Sequence, residues 1–366
     1  MTGYSPARYA QRHYQGQRPR SGTRSELPQT SIREVARRAG VSVGTVSNVL
    51  NRPDLVAEAT RDRVRAAIEE LGFVRNESAR RLRRGPERTA GEFGDEPRRA
   101  FGVVVEDLAS PYATDVARGA EAALNASGHD ALWLSSDYSA AKEQRSLELL
   151  EDQRAAGVLI IPVGLSARDV SRLRAAGMSV VLIDRDASGG CSAQVDHVAG
   201  GEIAAAYLLG IGRERIAFVT GVPEPEPCVE RREGAARTIV EAGFGKPVTL
   251  VQDAMSPTEG QAAAHQILES SPRPDGVFCA NDLLAIGLIN ELTRLGVSVP
   301  GDIAVIGYDD IELAASAAVP LTTIRQPRRE LGWEAAELAM AEIGEGKSHQ
   351  HRQVVLRPDL VIRESA

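Results

Sequence analysis

Residues 31–51 read SIREVARRAGVSVGTVSNVLN, and this stretch decides the first part of the fold. Ser31, followed three residues later by Glu34, is the pattern of a capping box, which predicts that a helix begins here. Apolar residues recur at i, i+3 and i+4 from Ile32, so one face of this helix is predicted to be buried. Gly40 then suits the left-handed backbone with which many helices end.

A second helix is predicted to follow at once. Ser42 is placed to cap it, and its Val46, Val49 and Leu50 would pack against the first helix. Two short capped helices joined by a tight turn with glycine are typical of a helix-turn-helix.

A third helix is predicted with Thr60 as its cap and with Val64, Ile68 and Leu71 as its buried stripe. The sequence therefore predicts a small all-α head of three helices.

The second helix is narrow and polar enough to enter the major groove of DNA. Asn48 can pair bidentately with adenine, and Val43 can touch a thymine methyl group. Hydroxyl and amide groups elsewhere on the helix can donate to phosphates, which sets the register. The predicted DNA-contacting residues of the head are Ser42, Val43, Gly44, Thr45, Ser47, Asn48 and Asn51. A three-helix module that binds protein instead of DNA is the alternative.

Charge is distributed unevenly along the 366 residues. Residues 1–90 contain 18 arginines and 9 acidic residues and carry a net charge of +9, whereas the remainder carries −16. A basic head on an acidic body indicates an anionic partner such as DNA, although a solvated basic tail would give the same balance. Residues 1–29 show no apolar periodicity and are predicted to be a disordered basic tail.

From Phe101 onward, short and continuously apolar runs alternate with alanine-rich helical stretches. Such runs are typical of parallel strands covered on both faces. The predicted fold is an N-terminal all-α helix-turn-helix head plus an α/β body of two doubly wound parallel-sheet lobes. The predicted domains are a tail at 1–29, a DNA-binding domain at 30–75, a hinge helix and linker at 76–99, and a two-lobed effector-binding and dimerisation domain at 100–366.

Three stretches, TSIREVARRAGVSVGTVSNVLN, VAEATRDRVRAAIEELGF and RNESARRL, resemble the head of the LacI/GalR (lactose-repressor) family. The α/β body fits the sugar-binding-protein-like effector domain of that family, so the resemblance covers nearly the whole chain. It implies a transcriptional regulator, most often a repressor. It also implies a homodimer on a palindromic operator in double-stranded DNA, controlled by a small-molecule effector, with a sugar or sugar derivative as the family's usual ligand.

The spacing NxxAxxL, formed by Asn76, Ala79 and Leu82, matches the hinge of the family. The resemblance implies a short helix that enters the minor groove, where the leucine wedges between base pairs and bends the DNA. Arg80 and its neighbouring arginines would bind flanking phosphates. A solvated basic helix end is the alternative. Where the family usually has Tyr-x-Pro before the asparagine, this chain has FVR at 73–75.

Ligands of parallel α/β sheets bind at the carboxyl ends of the strands. Polar residues at such ends, or just after them, form a set suited to ligand hydroxyl groups. The predicted effector-binding residues are Ser110, Tyr112, Asp184, Arg231, Asn281, Asp309 and Gln326. The resemblance implies that the last five line the family's cleft. Alternatives are a surface ion pair for Arg231 and strand-end caps for Asn281 and Asp309. Tyr308 would stack on a sugar or fill the lobe interface.

No enzyme, cofactor or metal site is predicted. A phosphate-binding GxxxxGK[ST] loop, an HExxH motif and a nucleophile elbow are missing from the sequence. Cys191, Cys228 and Cys279 are scattered without a CxxC pair, and the His–Asp pairs at 129–130 and 196–197 are interpreted as surface residues or caps. An extracytoplasmic solute-binding protein and an enzyme on a doubly wound fold are the alternatives to a regulator.

Neither a secretory signal nor a membrane-spanning run is recognised, so a cytoplasmic protein without a membrane partner is predicted. The end RPDLVIRESA has no leucine heptads, so a dimer is predicted in preference to a tetramer.

Overall fold

A computed structural model describes residues 31–73 and 98–366, apart from residue 223. It divides the chain into two compact units, Met1–Glu96 and Pro97–Ala366. The predicted basic tail and the predicted hinge residues Asn76, Ala79, Arg80 and Leu82 lie outside the described residues.

The head consists of three helices, α1 (Ile32–Ala39), α2 (Val43–Asn51) and α3 (Glu58–Glu70), with a 3-10 turn at Pro53–Leu55. The predicted capping box is confirmed, because the Ser31 N–H donates to Glu34 Oε2 at 2.7 Å and the Ser31 hydroxyl accepts from the Glu34 N–H. Gly40 ends α1 with a φ of 64°.

The apolar faces of the three helices meet in one small core. Val35, Val46 and Val64 are fully buried there, as the spacing predicted. The predicted cap of the third helix is wrong, because α3 begins at Glu58 and Thr60 lies inside its first turn. The N–H groups of Thr60 and Arg61 both donate to the Ala57 carbonyl, so the helical ladder starts there without a side-chain cap. Glu58 in the first turn favours this start, since a carboxylate stabilises the positive end of the helix dipole.

The body contains two six-stranded sheets, with strand orders β11-β5-β4-β3-β1-β2 in lobe one and β12-β10-β9-β8-β6-β7 in lobe two. The strands are β1 (Ala100–Val105), β2 (Asp130–Ser135), β3 (Gly157–Ile160), β4 (Ser179–Ile183), β5 (Cys191–Val195), β6 (Ile216–Gly221), β7 (Val248–Gln252), β8 (Gly276–Cys279), β9 (Ala304–Asp309), β10 (Thr322–Arg325), β11 (Gln353–Leu356) and β12 (Asp359–Val361). All pairings are parallel except that of β10 with β12. The predicted pair of parallel-sheet lobes is confirmed.

Helices cover the two sheets. Lobe one has α4 (Pro111–Ala126), α5 (Ala140–Asp152), α6 (Ala167–Ala175) and α12 (Arg328–Glu345), and lobe two has α7 (His197–Gly210), α8 (Glu226–Glu241), α9 (Pro257–Glu269), α10 (Asp282–Arg294) and α11 (Glu312–Ser316). The chain crosses between the lobes after β5, after β10 and again between β11 and β12. Among the helices within the described ranges, none combines the length and the apolar character needed to cross a membrane.

One glycine contact places a functional helix. At Gly201 on α7, an added Cβ would lie 1.9 Å from the carbonyl oxygen of Arg231 on α8. Only glycine permits this approach, since real Cβ atoms do not come so close to backbone oxygen. The close packing of α7 on α8 brings the start of α7 and the Arg231 side chain into one buried cluster.

Candidate functional site

A cavity of about 280 Å³ opens between the two lobes. It lies at the carboxyl ends of the parallel strands, because Glu106 follows β1, Asp184 follows β4 and Asp309 ends β9. This is the location that the parallel-sheet argument predicted. The lining residues are Glu106, Ser110, Tyr112, Tyr138, Ile161, Pro162, Val163, Asp184, Arg185, Glu224, Pro225, Glu226, Pro227, Cys228, Arg231, Met255, Asn281 and Asp309.

Six of the seven predicted effector residues line this cavity, and Gln326 does not. Gln326 is buried behind the lining, and its Nε2 donates to Asp309 Oδ1 at 2.6 Å, so it positions that carboxylate. Asn281 and Ser110 also cap helices, since their side-chain oxygens accept from the N–H groups of Leu284 and Ala113. The cap alternative for Asn281 therefore accounts for its oxygen, while its Nδ2 lies 3.3 Å from the Met255 carbonyl oxygen and donates to it.

Arg231 is only 5% exposed, which excludes the alternative of a surface ion pair. Its Nη1 donates to the Ala280 carbonyl at 2.7 Å, and its Nε donates to His197 Nδ1 at 3.2 Å. The guanidinium carbon lies 3.7 Å from the centre of the Tyr308 ring, which is a cation–π contact. Arg231 also lines the cavity, so its guanidinium group can donate to a ligand there.

Asp184 is the acceptor at the centre of the lobe-one side. The Tyr112 hydroxyl donates to its Oδ2, and the Val195 N–H donates to its Oδ1 at 3.3 Å. Burial acts to raise the pKa of Asp184, but His197, Tyr112 and Arg231 outweigh burial and hold the pKa below its usual value. Asp184 is therefore a carboxylate at neutral pH.

His197 joins the two sides of the cavity and was not predicted. It is 1% exposed, so interpreting it as a surface or cap residue was wrong; its neighbour Asp196 does cap α7. Burial and the charge of Arg231 lower the pKa of His197, so its imidazole is neutral at neutral pH. Because Arg231 Nε can only donate, Nδ1 is the acceptor, and the ring proton sits on Nε2, 3.3 Å from Asp184 Oδ1. The sequence signal was its position two residues after β5, at a carboxyl strand end.

Two further carboxyl groups titrate close to neutral pH. Burial raises the pKa of Glu106 to about 8, and its Oε2 has no hydrogen-bond partner among the described residues. Burial raises the pKa of Asp309 to about 6 despite the opposing effect of Arg231. Sequence reasoning missed Glu106, although it directly follows the first apolar run. Burial thus favours the protonated form of Glu106, which can donate, whereas Asp309 accepts from Gln326 and can accept from a ligand.

The backbone is also unusual at this edge of the two sheets. Asp184 and Asp309 have positive φ values of 52° and 114°, a backbone region that residues other than glycine rarely adopt. Residues in such conformations concentrate at ligand sites, where the surrounding structure holds them in place. The strained backbone positions are thus those of Asp184 in lobe one and Asp309 in lobe two, which both line the cavity.

Of the aromatic groups near the cavity, Tyr308 takes the second of its two predicted alternatives. Tyr308 is fully buried beneath Arg231, with its hydroxyl 3.1 Å from His197 Nδ1, so it fills the lobe and is not a wall for stacking. Tyr112 and the 39% exposed Tyr138 line the cavity instead. The acidic, proline-rich stretch before Arg231 contributes Glu224 from the loop and Glu226 from the start of α8 to the same wall.

The predicted DNA-contacting surface of the head lies on α2. Val43, Gly44 and Asn48 are exposed, and Thr45 and Ser47 are half-buried. The Ser42 hydroxyl caps the helix by accepting from the Thr45 N–H at 3.0 Å. The members of this surface in the described part of the helix are Ser42, Val43, Gly44, Thr45, Ser47 and Asn48. A Cβ added at Gly44 would meet nothing closer than Ser42 Oγ at 3.5 Å, so the backbone is open to close approach here.

Comparison with known proteins agrees with both units. Residues 31–76 match the family described as "Bacterial regulatory proteins, lacI family", and residues 205–366 match "Periplasmic binding protein-like domain". The HTH-type transcriptional repressor PurR of Photobacterium profundum is 32% identical over 339 residues, which cover 92% of this chain and 98% of the relative.

Solved structures of regulators share the fold. The lac repressor dimer bound to operator and the anti-inducer ONPF superposes with a TM-score of 0.70 at 25% identity, covering 92% of this chain and 98% of that one. The complex of the transcriptional regulator CelR with cellobiose has a TM-score of 0.67 at 29% identity, with 92% and 100% of the chains covered. These relatives are transcriptional regulators and not enzymes. The chain therefore belongs to the LacI/GalR family, as a DNA-binding transcriptional repressor with an effector-binding domain of the periplasmic-binding-protein type.

Proposed function

We propose that this repressor binds a palindromic operator as a homodimer and is controlled by a hydroxyl-rich effector, a sugar or sugar derivative, held between the two lobes of the body. The main support for this proposal is the composition of the cavity wall. Five carboxyl groups line it against two arginines, one of which, Arg231, is buried. The carboxyl groups are Glu106, Asp184, Glu224, Glu226 and Asp309.

Carboxylates accept hydrogen bonds from ligand hydroxyl groups, and Arg231 donates hydrogen bonds to ligand oxygens. One polyol can therefore bind to the carboxylates and to Arg231 at the same time. A ligand with its own phosphate or carboxylate would face repulsion from the acidic wall. Relatives of the same fold support the sugar class, since CelR was solved with cellobiose and the regulator from Enterococcus faecium with bound ribose.

The assignment is tested by isothermal titration calorimetry of the full chain against neutral monosaccharides and disaccharides, sugar phosphates and free nucleobases. A neutral sugar that binds at one site per chain, with binding weakened by Arg231→Lys, is the expected result. Nucleobases are included because Tyr112 and Tyr138 offer flat apolar faces. A nucleobase that binds when no sugar does would overturn the sugar assignment.

The DNA side of the proposal assigns residues 30–75 to operator recognition and 76–99 to a hinge that links them to the effector domain at 100–366. Operator binding takes place in the cytoplasm. Two copies of α2 are needed because a two-fold dimer matches two half-sites of a palindrome. Selection of bound duplexes from a random pool should return such a palindrome, and sedimentation of the complex should give two chains per duplex. Equal, salt-sensitive binding to every duplex, with no consensus, would reject the proposal.

A further inference from the structure

A cluster of metal-ligating side chains lies in lobe one, at the end of the sheet opposite to the cavity. Cys191 is the first residue of β5, and His349 and His351 belong to the segment that joins α12 to β11. Cys191 Sγ is 3.1 Å from His349 Nε2 and 3.5 Å from His351 Nδ1. One ligand atom from each residue lies within 4.8 Å of the other two.

These distances fit a tetrahedral ion. Bond lengths of about 2.3 Å to sulfur and about 2.0–2.1 Å to nitrogen place the two ligand atoms about 3.5 Å apart at a tetrahedral angle. The two sulfur-to-nitrogen distances are 3.1 and 3.5 Å, so both imidazole nitrogens already lie at about the distance from the sulfur that a shared ion requires.

A carboxylate behind one histidine is a second, independent observation. His349 Nδ1 lies 2.7 Å from Glu345 Oε2, on the side of the ring away from Cys191. In metal sites a carboxylate commonly accepts from the distal ring N–H, which fixes the tautomer and aims the other nitrogen at the ion. Glu345 thus presents Nε2 of His349 with its lone pair toward the sulfur.

The three side chains differ in burial in a way that suits a metal site. Cys191 is fully buried and the His349 side chain is 3% exposed, whereas His351 is exposed. An ion can therefore enter beside His351, and a water molecule can occupy the fourth position.

We propose that Cys191, His349 and His351 form a site for one Zn²⁺ ion, separate from the effector cavity. One thiolate and two imidazoles are a donor set that suits Zn²⁺ and disfavours Mg²⁺ and Ca²⁺. On binding, three protein–metal bonds form, and the thiol proton passes to solvent. The site and the cavity lie at opposite ends of lobe one, since β5 runs from Cys191 to Val195, about 13 Å at the usual rise per residue.

The bound ion ties the α12–β11 segment to the start of β5. Ser192 is already bonded there, its N–H donating to the Arg352 carbonyl at 3.1 Å. Since β11 is the edge strand of lobe one, a metal link at its entry stabilises that edge.

The experiment uses full-length, tag-free protein kept reduced and freed of metal by chelation. Zn²⁺ is titrated in competition with a chromophoric chelator, and Co²⁺ is used as a spectroscopic probe of the ligands. The expected result is one ion per chain, with a thiolate-to-cobalt charge-transfer band. His351→Ala and Cys191→Ser should each weaken Zn²⁺ binding at least tenfold, and Cys191→Ser should abolish the band.

Two variants serve as controls. His265→Ala removes an exposed histidine on α9 that pairs with Glu291, and Cys279→Ser removes a thiol of β8 in the other lobe. Both should bind Zn²⁺ like the parent. His351 is exposed, so its alanine variant keeps the fold, as circular dichroism will verify. Sub-stoichiometric binding, an unchanged affinity in His351→Ala, or a cobalt complex without the thiolate band would overturn the proposal.

Discussion

At the scale of single residues, Arg231 connects the two chemical halves of the effector cavity. It bonds to the Ala280 carbonyl and to His197, and it covers the Tyr308 ring. Deleting its side chain would leave the buried Ala280 carbonyl without its Arg231 donor, which costs stability of its own. A lysine at this position keeps the positive charge but lacks the planar guanidinium fork. The Arg231→Lys variant therefore tests ligand recognition with less effect on folding than deletion of the side chain.

The first prediction concerns Arg231→Lys. We expect effector affinity to fall at least tenfold, about 1.4 kcal/mol, while operator affinity without effector stays unchanged. Calorimetry measures the first quantity and a gel-shift titration the second. The matched control is Arg237→Lys on the same helix, an exposed residue paired with Glu202. Effector affinity equal to that of the parent would remove Arg231 from the binding site.

The second prediction concerns the pH dependence of stability at Glu106. Its pKa is about 8 in the folded chain against 4.5 ordinarily, because the side chain is buried. Between these values the folded state binds a proton that the unfolded state has lost. The contribution of this group to stability therefore falls as pH rises through that range, by up to about 1.4 kcal/mol per pH unit.

Glu106→Gln removes this dependence, so urea unfolding from pH 5 to pH 8 should show the variant gaining on the parent as pH rises. Glu337→Gln changes an exposed carboxylate on α12 and should follow the parent at every pH. Parallel curves for Glu106→Gln and the parent would mean that Glu106 is already ionised in the folded state.

At the scale of elements, α2 combines a buried face with an exposed polar face. Val46 and Val49 are buried in the head core, whereas Asn48, between them in sequence, is exposed. Substitutions at Asn48 therefore act on partners and not on folding.

The third prediction is that Asn48→Ala weakens operator binding by about 1–3 kcal/mol and relaxes preference at one base pair, with the salt dependence unchanged. Base selectivity is read from a set of single-substitution operators. Thr60→Ala is the control within the head, because Thr60 lies on α3 and caps nothing. Equal losses on specific and random duplexes would place Asn48 on phosphates instead of on a base.

The fourth prediction concerns the proposed hinge, which lies outside the described residues. Leu82→Ala should lower operator affinity tenfold or more, because the apolar wedge that bends the DNA is lost. The fold should stay intact by circular dichroism. Leu149→Ala, which shortens an exposed leucine on α5, is the control. If Leu82→Ala bound the operator as the parent does, Leu82 would not act as a wedge between base pairs.

At the scale of the whole molecule, two lobes joined by several crossings carry the cavity between them. A ligand that touches both lobes stabilises the closed arrangement by its differential affinity for the closed and open states. The proposed regulation consists of this shift, transmitted to the DNA-binding head.

The fifth prediction is reciprocity between the two ligands. The effector changes operator affinity by a certain factor. Saturating operator should change effector affinity by the same factor. Paired titrations, calorimetry with and without operator and gel shifts with and without effector, measure the two factors. Independent binding of the two ligands would contradict control by this effector.

Features of short range were readable from the sequence. The capping box at Ser31, the left-handed Gly40 and the alternation of apolar runs with helices depend on residues within a few positions of each other. The same applies to Asp184, Asn281 and Asp309, since a polar residue after a parallel strand lies at the ligand edge whatever the rest of the fold does.

Only the tertiary structure decided which groups share an environment. The burial of His197 and the protonation of Glu106 depend on helix α8 and on the opposite lobe, neither of which is visible from local spacing. Cys191 meets His349 across 158 residues of chain, so no short motif announced that cluster. Local hydrogen bonding and periodicity select the elements, but the desolvation and charge pairing that create chemistry arise only when distant elements pack together.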